Sequence, residues 1–92
     1  KRGIVEGIIV EVFFSNPHIQ YYLLVTTAKG NKETWAAKSM TPNMLRGMGW
    51  NKDSFMPGDK VTIEGYMGRE NKPKIWIKHI ENEAGTVFDM GN

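Results

Sequence analysis

Two histidines, His18 and His79, are the side chains best suited to ligating a metal or moving a proton, and no cysteine accompanies them. A protein metal site needs several ligands converging on one point. Two imidazoles far apart in the chain supply no such spacing, so no metal is expected. Copper or zinc would be the first to test at His18 and His79, because imidazole is present and thiolate is not. Covalent catalysis has even less to work with. The chain has no cysteine nucleophile, no Gly-x-Ser-x-Gly elbow and no phosphate loop, and Gly47-Met48-Gly49 reads as a helix end. Asp53, Asp59, Glu64 and Glu70 lie near turns, where carboxylates usually solvate or cap, and no two have the defined separation that paired acid–base chemistry needs. The expectation is a protein that is not an enzyme and carries no cofactor. What remains is recognition.

The residues suited to recognition fall into two groups. Asn16-Pro17-His18 presents hydrogen-bonding side chains beside a proline that restricts the backbone. Tyr21, Tyr22, Trp35, Trp50 and Trp76 offer stacking surfaces, with Lys29, Lys32, Lys38, Arg69, Lys72 and Lys74 spaced among them. Each group has a plainer explanation. Asn16 can bond its own turn and His18 a neighbouring carbonyl, while a small barrel needs about half its aromatics for its core, and lysines on edge strands block aggregation.

The elements that position these side chains are strands. The chain has 92 residues, 40% hydrophobic, 24% charged and 11% aromatic, with a net charge of +2. That is one domain, residues 1–92, with enough burial to offset chain entropy and without the basic excess of a dedicated phosphate-backbone binder. No apolar run approaches a membrane span. Ile4 to Phe14 is rich in β-branched and aromatic residues, with Gly7 expected at a bulge or bend. Ser15-Asn16-Pro17 marks a turn, His18 to about Thr27 a second strand, and Lys29-Gly30-Asn31-Lys32 a hairpin into a third strand, Glu33 to Ser39. Thr41-Pro42 opens a short helix with Met44 and Leu45 as its apolar stripe and Gly47 or Gly49 as its end. Pro57-Gly58-Asp59 feeds a fourth strand, Lys60 to Tyr66. The polar loop Gly68 to Pro73 leads to a fifth, Lys74 to Glu81, and Thr86 to Phe88 adds an edge segment.

Three strands, a short helix and two strands define the fold class: all-β, a five-stranded OB-fold-like (oligonucleotide/oligosaccharide-binding) barrel with one helix between strands three and four. An SH3-like barrel uses similar strands but usually lacks a helix at that point. In OB barrels the ligand face is strands two and three, flanked by the loops between strands one and two and between four and five. That face makes Asn16, His18, Tyr22 and Trp35 the expected ligand contacts, with Trp50 packing the helix end against the barrel. The partner is expected to be a small ligand or a protein. The alternative is single-stranded nucleic acid, held by the aromatics and lysines.

Four segments carry a resemblance: SNPH (Ser15 to His18), WAAKSMTPNML (Trp35 to Leu45), RGMGWNKDS (Arg46 to Ser54) and PGDKVTIEG (Pro57 to Gly65). From about Gly7 to Phe88 the chain resembles a family of small exported bacterial proteins of unknown function with T-N-P-H, G-W and P-G-D-x-V motifs. The resemblance implies a periplasmic or secreted protein and assigns no activity. A start at Lys1 without an initiator methionine fits a processed form. Two departures stand out. Lys38 occupies a position where the resemblance leads one to expect Glu, and the His-rich segment of the family's mature N-terminus is missing, so no metal role carries over from it.

Overall fold

The computed structural model describes residues 1–91. It contains β1 (Arg2–Phe13), β2 (Gln20–Thr26), β3 (Lys32–Lys38), α1 (Pro42–Arg46), β4 (Lys60–Met67), β5 (Lys74–Asn82) and β6 (Val87–Asp89). The strands hydrogen-bond in the order β3-β2-β1-β4-β5-β6, and a parallel pairing of Ala36–Lys38 with Lys74–Trp76 closes the first five into a barrel. This is the OB fold the element order predicts, with β6 added antiparallel to the outer end of β5.

A single strand can serve both halves of the barrel only if it bends. The expected bend at Gly7 falls elsewhere: the β1–β2 ladder slips between Ile9↔Leu23 and Glu11↔Tyr22, leaving Val10 as the extra residue. Before the bulge Val5, Gly7 and Ile9 face inward; after it Val12 and Phe14 take over. Gly7 has a different reason to be glycine. A Cβ there would lie 2.8 Å from the Leu24 carbonyl oxygen, so the close approach of β2 requires its absence. The β4–β5 ladder has its own slip after Glu64, and a Cβ on Gly65 would run into the Trp76 carbonyl.

The helix starts as its sequence predicts. Thr41 is extended, its Oγ1 accepts the Met44 N–H at 3.3 Å, and Pro42 takes the first turn. Gly49, at φ 89°, turns the chain out and lets the Trp50 N–H reach the Leu45 carbonyl. The apolar stripe differs from the expected one: Pro42 and Leu45 are buried and Met44 is exposed. Neighbouring helical residues point about 100° apart, so Met44 and Leu45 cannot both face the barrel.

The core is aliphatic along the barrel and aromatic at the end that α1 covers. Ile9, Leu23, Val61, Ile63, Ile77 and Ile80 are almost wholly buried. Trp50 stacks on Phe88 at 5.1 Å and on Tyr21 at 6.5 Å, with Phe55 edge-on to all three. The Trp50 indole N–H donates to the Tyr21 hydroxyl at 2.9 Å. Burial pushes the Tyr21 phenol up to about 12, against a smaller opposing pull from that hydrogen bond. Trp50 thus packs the helix end against the barrel. No described helix is long and apolar enough to cross a membrane.

Candidate functional site

Strand register decides which side chains leave the barrel together, because directly opposed residues share a face. One outward row runs Phe13, Gln20, Lys38, Trp76, Tyr66 and Arg2, crossing β1, β2, β3, β5, β4 and β1 again. The adjacent row runs Glu11, Tyr22, Ala36 and Lys74. Aromatic rings and cations therefore share one outer surface, although they are scattered along the chain.

The β4–β5 loop, Gly68 to Pro73, rises beside this surface. It turns tightly at Glu70 and Asn71, both at positive φ (56° and 60°). Between the loop, β3 and β5 lies a groove of about 440 Å³, whose walls include Lys38, Tyr66, Arg69, Lys72, Lys74 and Trp76, with Glu70 as the one carboxylate. Among the described residues none of the four cations forms an ion pair. Arg2 lies over the face of the Tyr66 ring at 5.4 Å and pairs with Glu64 at 3.4 Å.

The four residues expected to contact ligand divide. Asn16 and His18 are exposed in the β1–β2 loop, where a cis Asn16-Pro17 bond lies between them. The His18 ring meets Trp76 edge-on, at 5.6 Å and 81°, so this loop does reach the groove's aromatic wall. Tyr22 is one row away and packs against Phe13 at 5.8 Å. Trp35 is elsewhere. It opposes Leu23, shares the inward face, and donates its indole N–H to Glu33 Oε1 at 2.8 Å. It looks out of the barrel end into a second cavity of about 470 Å³ with Lys1, Arg2, Met67, Gly68, Asn71 and Lys72.

Tyr66 and Phe13 are the surface aromatics that sequence reasoning passed over. The signal was available for Tyr66, which alternates with the buried Ile63 and Gly65 on β4 and is separated from the loop only by Met67.

His18 and His79 do not meet. The His79 Nδ1 faces Asp89 Oδ2 at 2.7 Å and Nε2 faces Glu81 Oε1 at 2.9 Å, so the ring bridges β5 and β6. Hydrogen bonds to Asp89 and then Glu81 hold the imidazole above its usual pKa, and His79 holds Asp89 below the usual carboxylate range. With both nitrogens engaged by carboxylates, this is a structural clamp. Among the described residues no cluster of His, Cys, Asp or Glu could hold a metal ion.

Barrel closure, helix position and flanking loops define an OB-fold domain, and solved structures agree. The mitochondrial single-stranded DNA binding protein Rim1 of S. cerevisiae superposes with a TM-score of 0.65 at 12% identity, over 90% of this chain and 93% of that one. The N-terminal domain of the PriB protein from Thermoanaerobacter tencongensis, a dimeric structure, gives 0.61 at 19% identity, over 88% and 93%. At these identities the likeness is one of fold. By sequence, residues 1–75 match a family of unknown function (DUF6152), and the chain belongs to that family. No curated protein matches it.

Proposed function

We propose that this chain is a non-catalytic binding domain whose ligand is an anion carrying flat rings, held in the groove between β3, β5 and the β4–β5 loop. One observation carries the reading: Lys38, Arg69, Lys72 and Lys74 surround Trp76 and Tyr66 with no ion-pair partner among the described residues. Gathering like charges raises the local potential, and an arriving anion relieves it. The rings beside them supply stacking, worth about 1–3 kcal/mol per base in single-strand binders.

Nucleotides, free or in a strand, satisfy both demands. The fold neighbour named as a single-stranded DNA binding protein supports the strand. OB barrels also commonly bind ligands beside these loops.

Export is part of the proposal and rests on the motif resemblance. Fractionating the full-length protein between periplasm and cytoplasm tests it, and recovery in the cytoplasm alone would remove it.

The binding reading is tested by tryptophan fluorescence at low salt, titrating a nucleoside monophosphate, a short oligothymidylate and inorganic phosphate. The nucleotides should quench, and added salt should weaken them. Trp76→Ala should lose affinity by about 5- to 150-fold, the equivalent of one stacked ring. No nucleotide binding at low salt, or full affinity in Trp76→Ala, would overturn the reading.

A further inference from the structure

Resting on that reading, we infer that the groove is one half of a continuous track, and that its ligand is a single strand of nucleic acid running from Trp76 over the β4–β5 loop to Trp35. The groove and the barrel-end cavity adjoin: Met67, Gly68 and Lys72 line both. Each has a tryptophan in its wall, Trp76 in one and Trp35 in the other. Cations follow the whole path: Lys38 and Lys74 at the groove, Lys72 at the junction, Lys1 and Arg2 beyond it. The Trp35 ring is held by its bond to Glu33. It is half-buried and packs partly on the core, so it offers a fixed surface rather than a swinging one.

The spacing sets the ligand's length. Trp35 and Lys38 are three residues apart on β3, and Lys38 opposes Trp76. Three residues of strand span roughly 10 Å. One strand of a duplex advances about 3.4 Å per nucleotide and an unwound strand is longer per step, so the spacing along β3 corresponds to no more than about three steps. A mononucleotide or a lone phosphate fills one cavity only. A linear chain of charges reaches both, and a chain that also carries rings uses both tryptophans.

A length series tests this: oligothymidylates from the mononucleotide to about ten residues, within the site sizes OB folds show, with inorganic polyphosphate as the ringless control. The expected result is affinity that climbs to about four to six nucleotides and then levels. Trp35→Ala should weaken the longest oligomer by at least about fivefold, as loss of one stacking surface implies, and leave the mononucleotide unchanged. Lys1→Glu, an exposed change lining only the second cavity, should do the same and keeps the test decisive if Trp35→Ala melts early.

Affinity already complete at the mononucleotide, with both variants silent, would overturn the track and leave the groove reading intact. Polyphosphate binding as tightly as the oligomers would overturn the assignment to nucleic acid. Binding of no probe at any length would remove both the track and the reading beneath it.

Discussion

Tyr21→Phe isolates one atom at the end of the barrel that α1 covers. The Tyr21 hydroxyl accepts the Trp50 indole N–H at 2.9 Å, and neither residue is exposed to solvent. Phenylalanine keeps the ring, its stacking on Trp50 and its edge contact with Phe55, and removes only the acceptor. The indole N–H is then buried without a partner, which costs about 1–3 kcal/mol. Taking about 2 kcal/mol, and about 4–8 °C per kcal/mol for a domain of this size, the melting temperature should fall by about 8–16 °C. Urea denaturation should show a lower midpoint at unchanged slope. In a cycle with Trp50→Phe the two changes should be strongly non-additive, because either one breaks the same bond.

Burial of the same hydroxyl, against the smaller opposing pull of that bond, sets an alkaline limb. The Tyr21 pKa is raised to about 12 in the folded state from 10.0. Folding thus retains a proton that the unfolded chain releases, so this contribution is complete below pH 10 and is lost between about 10 and 12. Tyr21→Phe should lose that part of the limb. A Tyr21→Phe variant within about 0.5 kcal/mol of wild type, the range of an ordinary surface change, would refute the reasoning.

Two further predictions come from polar groups outside the groove. His79 has a raised pKa, so its clamp on Asp89 and Glu81 stabilises fully below pH 6.5 and fades as pH rises through the folded value. Asp89 adds a contribution present above pH 3.8 and lost as pH falls through its lowered value. His79→Gln should flatten the neutral limb and speed exchange at the Met90 amide, which donates to the Lys78 carbonyl beside the clamp. An NMR titration placing His79 at or below 6.5 would contradict it. Ser39 is wholly buried and, among the described residues, its hydroxyl has no hydrogen-bond partner. Ser39→Ala removes an unmet polar group and should raise stability by about 1 kcal/mol, read as a higher melting temperature. A fall of similar size would show that the hydroxyl is satisfied.

The groove was legible in parts. Lys38, Arg69, Lys72, Lys74 and Trp76 could be singled out as a candidate set from their types, and the loop carrying Arg69 and Lys72 from the fold's known ligand face. Their convergence was not legible, because it depends on the parallel pairing of Ala36–Lys38 with Lys74–Trp76. Those strands lie far apart in the chain, and nothing local in either one states the register. Trp35 shows the same limit from the other side. Alternation along β3 cannot say which face is inward until β2 places Leu23 opposite it.

Local physics fixed what local residues control. β-branched runs separated by glycine and proline turns made the strands, and Thr41-Pro42 made the helix start where it does. Cysteine's absence removed thiolate chemistry outright. The tertiary structure alone decided the bulge at Val10, the choice of Tyr21 as the partner of the Trp50 indole, and the gathering of rings and cations on one surface. Each of these is a choice of partner across the barrel, set by which apolar faces must close on one another. A side chain's type states what it can bind; the closure of the sheet states what it stands beside.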